Sequence, residues 1–191
     1  MLVQDLQNLQ KQFLAIKTEA ENFLGRFTDD QFMWRPGHNR WSIAQCVDHL
    51  IVTGRNSLSH IDQAIDEARS KALFAEGPFR YGLIETWFVR QMEAGARMRF
   101  KAPRAYLPSS EPVPGDIKSS FYQLQDEFSR IIEKANGIDL SRVKVNNSVS
   151  RWFKLSLGQE LAFNAAHERR HLGQARRVTE LEGFPCLPGG V

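Results

Sequence analysis

The sequence predicts an all-α protein, and three observations carry that expectation. Apolar residues recur at helical spacing through five segments, and proline- and glycine-rich stretches separate those segments. No convincing strand-rich region appears ahead of the late histidine motif discussed below. At 191 residues and 42% hydrophobic content, the chain fits one domain that can bury its own core without staples.

The elements follow in order. Residues 2–25 place Leu2, Leu6, Leu9, Phe13, Ile16, Ala20, Phe23 and Leu24 on one helical stripe, and Gly25 closes it. Residues 26–41 read as a Pro-Gly loop carrying Trp34 and Trp41. A second helix spans about 42–72, with Ser42 as N-cap and Gln45 three residues on as in a capping box. A shorter one covers 81–100, with Leu83, Ile84, Trp87, Phe88 and Met92. Four prolines in 102–115 end the regularity. Residues 116–136 form the third long helix, with Phe121, Leu124, Phe128, Ile131 and Ile132 as its core stripe. A long connection, 138–155, leads to the fourth, 156–182. One domain is expected over 1–182, followed by a loosely ordered Pro/Gly-rich tail, 183–191.

Bulk properties narrow the function classes. No apolar run approaches the ~20 residues that span a bilayer, and the N-terminus lacks the charged and apolar regions of a signal peptide, so a cytoplasmic protein with no membrane partner is expected. Two cysteines, Cys46 and Cys186, make a disulfide framework improbable. A net charge of +3 argues little for nucleic acid. Arg97, Arg99, Lys101 and Arg104, beside Phe100 and Tyr106, sit at a predicted helix end, where cations offset the helix dipole. No nucleic-acid partner is expected.

The most informative stretch is His167-Glu168-Arg169-Arg170-His171, followed by Gln174. Histidines four apart on a helix lie about 40° apart on one face and can offer two nitrogens to one divalent metal. The stretch also reads as HExxH, the zinc-peptidase signature. The sequence argues against that reading: Gln174 and Arg177 stand where Gly and His would continue the motif, and Glu180 and Glu182 lie on what reads as the same helix. A di-iron bundle would need two Glu-x-x-His motifs, and the chain has one, Glu168 to His171. Upstream, Ser42, Gln45, Cys46, His49, Thr53 and Asn56 share one face of the second helix, so His49 is the natural third ligand. His60 falls eleven residues further along, about 16 Å away, and His38 reads as a surface residue. Cys46, three residues before His49, could be a fourth ligand or a reactive thiol, and the buried small hydrophobe is the favoured reading. On the last helix, Asn164 and Gln174 share the histidine face and are candidate orienting partners, as is Gln45. Glu168 lies about 100° from His167, which argues against a general-base role.

Trp34-Arg35-Pro36, then Trp41-Ser42-Ile43-Ala44-Gln45 leading to His49, then His167-x-x-x-His171-x-x-Gln174, resembles the DinB/YfiT-like superfamily. The likeness runs over roughly residues 1–182. It implies a four-helix bundle, here with extra short helical segments and long connections, and one divalent metal held by one histidine of the second helix and two of the fourth. Carried over by position, these are His49, His167 and His171. The arginines around the last helix, Arg169, Arg170, Arg176 and Arg177, are not a feature of that family's pattern. Imidazole-only sites suit several transition metals; zinc is the first expectation and nickel the second. Three protein ligands leave a position open for substrate. The resemblance implies a metal-dependent transferase or hydrolase acting on a small molecule, a thiol among the candidates. The alternative is a non-catalytic metal-containing binding or stress-response protein. Homodimerisation is common in such families, although no self-complementary patch is visible in the sequence.

Overall fold

A computed structural model describes residues 1–37, 40–96, 103–109, 113–146 and 154–185. Four long helices dominate it: α1 (Gln4–Leu24), α3 (Ile43–Ser70), α5 (Pro114–Lys134) and α6 (Leu157–Thr179), with the short α2 (Asp29–Met33) and α4 (Leu83–Met92) between them. The protein is therefore an all-α bundle, as the helical periodicity predicts.

Each long helix buries the stripe its sequence marks. α1 turns Leu6, Leu9, Phe13, Ile16, Ala20, Phe23 and Leu24 inward. α5 buries Phe121, Leu124, Phe128, Ile131 and Ile132, together with Ile117 and Gln125. Phe13 and Phe128 stack with ring centroids 4.4 Å apart, joining α1 to α5. α1 and α3 each pack against both α5 and α6, so α1 and α3 stand at opposite corners of the bundle. Chain order thus differs from spatial order, and that arrangement brings α3 beside α6. Gly54 lets α3 approach α5 closely: a Cβ there would lie 2.7 Å from a Leu124 methyl.

Local chemistry sets the helix starts. Ser42 accepts from Gln45 N at 3.0 Å while Ser42 N donates to the Gln45 side chain at 3.2 Å. Thr28 and Gln31 form the same reciprocal pair and start α2 inside the stretch expected to be only loop. Pro114 opens α5 at a position where its missing N–H costs nothing.

Three details differ from the sequence reading. The helix expected over 81–100 is regular only over Leu83–Met92, closing in a turn that Glu93 and Ala96 make; residues 97–100 lie outside the described set. The connection 138–155 carries a small antiparallel pair, β1 (Lys144–Asn146) and β2 (Lys154–Ser156), with Val145 opposite Leu155. Both of these residues are buried, so this two-stranded ribbon is pinned to the bundle by its inward side chains. Helix α6 ends at Thr179, three residues early. Most of the tail, residues 186–191 with Cys186, lies outside the described residues, as does His38. No described helix is long and apolar enough to cross a membrane.

The α1–α5 contact sets the first test. Phe13→Ala leaves a cavity under Phe128 and should lower the unfolding free energy by about 3–5 kcal/mol in urea titrations. A loss under about 1 kcal/mol would show that this aromatic stack is not a core contact.

Candidate metal centre

Helices α3 and α6 meet around three imidazoles. His49 stands two turns into α3; His167 and His171 stand one turn apart on α6. A nitrogen from each lies within 4.8 Å of the others, and no Asp, Glu or Cys joins them among the described residues. Ring centroids are 5.1 Å apart for His49 and His167, and 4.6 Å for each pair involving His171. The two spans that sequence spacing singled out therefore converge, although 118 residues separate His49 from His167.

One nitrogen of His49 is already spoken for. Its Nδ1 lies 2.6 Å from the backbone oxygen of Tyr106. A carbonyl can only accept, so Nδ1 carries the hydrogen and Nε2 keeps its lone pair. That Nε2 lies 3.3 Å from Nε2 of His167. Two nitrogens bound about 2.0–2.1 Å from one tetrahedral ion would be about 3.3–3.4 Å apart, so the spacing fits a shared metal. The Nδ1 of His171 is buried without a hydrogen-bond partner. Leaving such a group unsatisfied costs about 1–3 kcal/mol, which coordination would relieve. The donor set and this orphaned nitrogen both fit a divalent transition metal.

Trp41 and Phe163 wall the centre. The Trp41 ring centroid is 5.0 Å from that of His49 and 5.8 Å from that of His171, and Phe163 stacks on His167 at 5.8 Å. Burial therefore dominates the titration of all three imidazoles. It holds His167 well below the usual histidine range and depresses His49 against the opposing pull of the Tyr106 carbonyl and the Asp48 charge. It takes His171 down to about 3, helped by the nearby imidazole of His49 and opposed by Gln174, whose side-chain oxygen favours the protonated ring as an acceptor. All three are thus neutral at physiological pH, the protonation state that ligates metals.

The polar face of α3 resolves into separate pairings. Ser42 and Gln45 serve the helix cap, and Gln45 also donates to the backbone oxygen of Ser109 at 3.3 Å. Thr53 bonds back to the carbonyls of His49 and Leu50. Asp48 accepts from Ser109 N at 2.7 Å, and Asn56 accepts from the Tyr106 hydroxyl at 3.1 Å. Together these bonds tie residues 103–109, which include a single 3-10 turn at Arg104–Tyr106, across α3 beside His49. Sequence reasoning missed Tyr106 because its contribution is a main-chain oxygen. Trp41 could have been found, since it immediately precedes the helix cap that delivers His49.

The candidate orienting residues divide. Gln174 lies near enough to His171 to pull its titration upward. Asn164 instead donates to Ser57 Oγ at 2.7 Å and to both oxygens that Glu160 offers it, one turn away from His167. Gln45 reaches the centre only through the 103–109 segment. Cys46 is fully buried and outside the histidine group; burial pushes its thiol up to about 12, so the small-hydrophobe reading holds. His60 is likewise outside the group. Glu168 turns toward α5, where Gln125 donates to it at 3.1 Å; burial raises its carboxyl to about 8. It does not face the imidazoles, which removes the peptidase reading of HExxH on geometric grounds. Arg104 lies in the 3-10 turn, while Arg97, Arg99, Phe100 and Lys101 are outside the described residues.

The family model of the DinB superfamily matches residues 12–175 of this chain. The chain belongs to the DinB superfamily. A DinB-like relative, the uncharacterized protein YuaE of Bacillus subtilis (strain 168), is 23% identical over 169 residues, covering 88% of this chain and 95% of its own length. No solved structure matches the chain significantly. All three histidines lie within the DinB match, on α3 and α6.

Buried titratable groups give the metal-free protein opposing pH trends. The depressed imidazoles contribute stability present above pH ~6.5 and lost as the pH falls toward their folded-state values, because the unfolded chain binds protons that the fold refuses. Glu168, shifted the other way, favours the fold below about pH 4.5 and loses that contribution as the pH rises through about 8. In chelator-treated protein, Glu168→Gln should therefore be more favourable at pH 8.5 than at pH 5, by on the order of 3 kcal/mol in denaturant titrations. An equal effect at both values would mean that the carboxyl is ionised throughout.

Proposed function

We propose that His49, His167 and His171 hold one divalent transition metal, zinc first and nickel second, and that the protein is a metal-dependent transferase or hydrolase acting on a small molecule, thiols being the leading class. The observation that carries this reading is the convergence of three neutral imidazoles from two helices, one of them with a buried nitrogen lacking any partner. Three protein ligands leave a coordination position for substrate, which distinguishes such centres from closed structural ones. When bound, the ion supplies Lewis acidity that lowers the pKa of a thiol or water beside it.

The chain's own residues do the rest. The Tyr106 carbonyl fixes the His49 tautomer, and Gln174 restrains the His171 ring. Trp41 and Phe163 keep water from the imidazoles, which strengthens electrostatic interactions within the centre. A second reading, a metal-holding protein without turnover, draws on one specific observation: Glu168, the acidic residue nearest in sequence, faces Gln125, and no carboxylate joins the three histidines among the described residues. Thiol-transfer and amide-hydrolysis screens of metal-loaded protein separate the two readings, since turnover above that of the metal alone supports only the first.

The histidines are tested as a unit by thermal melts with zinc or nickel. Metal at a hundredfold excess over Kd should stabilise the wild type by about 2.7 kcal/mol. His49→Ala, His167→Ala and His171→Ala should each lose most of that increment, and a double variant should lose little more. His60→Ala and His38→Ala should keep it. Equal metal-induced shifts in His49→Ala and wild type would falsify the triad.

A further inference from the structure

The bond from His49 to the Tyr106 carbonyl decides more than the direction of one ring. Nε2 of His49 and Nε2 of His167 are 3.3 Å apart, close enough to share a hydrogen bond. If the His49 hydrogen sat on Nε2 in place of Nδ1, it would point into that gap and be donated to His167. The two nitrogens would then occupy each other, and neither would have a lone pair to offer a metal. The acceptor at Nδ1 selects between these two tautomers.

The segment that carries this acceptor has little apolar anchorage. Residues 103–109 are exposed apart from Tyr106 and Pro108, which are half-buried, and Leu107 between them is 48% exposed. Apolar burial therefore contributes little to keeping the segment on α3. Hydrogen bonds to α3 hold it, and they act at two places. At Ser109, Asp48 accepts from the main-chain N–H at 2.7 Å and Gln45 donates to the main-chain oxygen at 3.3 Å. At Tyr106, the side-chain hydroxyl donates to Asn56 Oδ1 at 3.1 Å.

Asn56 lies two turns beyond His49 on α3, about 20° round the helix and about 10 Å along its axis. Its side chain is too far along to touch the His49 ring, which leans toward the helix N-terminus. Tyr106 bridges the interval. Its main-chain oxygen meets His49 and its hydroxyl meets Asn56, so one residue is laid along two turns of α3 and joined at both ends. The second bond holds the first in place: with the hydroxyl anchored, the carbonyl has little freedom to turn away from Nδ1.

We propose that Asn56 and the Tyr106 hydroxyl form a positioning pair that keeps the hydrogen of His49 on Nδ1 and its Nε2 lone pair free for a metal. The pair acts only through the Tyr106 carbonyl. Its purpose rests on the metal reading above, while the tautomer it selects is a property of the metal-free chain. Breaking the pair frees the carbonyl from Nδ1. One hydrogen then leaves Nδ1 for solvent and another arrives at Nε2, with no change in charge, and His167 accepts it across the gap.

The test uses full-length protein and two readouts. In metal-free, nitrogen-15-labelled protein near neutral pH, imidazole spectra show which His49 nitrogen carries the hydrogen, the His49 signals being those lost in His49→Ala. Competition with a chromophoric chelator gives the zinc affinity. Wild-type His49 should carry its hydrogen on Nδ1. In Tyr106→Phe, which removes only the hydroxyl, and in Asn56→Ala, most of it should move to Nε2, and zinc should bind about tenfold more weakly. The double variant should bind no more weakly than either single one, because both changes break the same bond. Asn56→Asp keeps an acceptor for the hydroxyl and should stay within about twofold of wild type. Retention of the Nδ1 hydrogen in both single variants overturns the proposal even if zinc affinity falls, since general loosening would explain the loss. A shift to Nε2 that leaves zinc affinity unchanged overturns the pair's role at the centre. Failure of the wild type to take up zinc, seen by elemental analysis, overturns the metal reading instead, and the tautomer spectra still decide whether the pair selects Nδ1.

Discussion

Three imidazoles kept uncharged between α3 and α6 are the constraint on which this end of the bundle depends. Protonating any of them would place a cation among two other rings and beside arginines, with little water to screen it. The surroundings are arranged against that. Trp41 and Phe163 supply apolar cover, and the Tyr106 oxygen takes the hydrogen of His49, leaving its other nitrogen as a lone-pair donor. The cost is a polar cluster inside a hydrophobic bundle, which the fold tolerates because nearly every other polar atom on the α3 face has a partner.

The bundle's packing order makes this juxtaposition possible. Because α1 and α3 occupy opposite corners, α3 lies against α6 along its length. Small residues set how close the helices come, as Gly54 does where Leu124 presses on α3. The reciprocal Ser42–Gln45 cap fixes where α3 begins, and hence the rotational position of His49. A shift of one residue would swing that ring about 100° away from α6.

Much of this was legible in the sequence, because it rests on periodicity and local chemistry. The apolar stripes of α1 and α5, the cap at Ser42, and the grouping of His49 with His167 and His171 all follow from spacing, the last also from resemblance. What was illegible depends on partners distant in the chain. Asn164 has the right face but is drawn to Ser57 and Glu160, a choice that only the packing of α3 on α6 reveals. The short α2 was concealed in a Pro-Gly stretch even though its Thr28–Gln31 cap was readable. The β1–β2 pair buries two apolar residues, Val145 and Leu155, too few to give an alternating pattern.

The Tyr106–His49 bond has a consequence for how such a site tolerates change. Its acceptor belongs to the main chain, so no side-chain replacement at position 106 deletes it directly. What the ring requires of the crossing segment is a path, and that path is secured at Asp48, Asn56 and Gln45 on the opposite side of the contact. Two of those anchors meet main-chain groups of Ser109, so the segment is freer to drift there than at Tyr106, whose hydroxyl holds Asn56. Residue-by-residue scanning would underrate this loop, and comparison of sequences would find its constraint recorded on the helix instead.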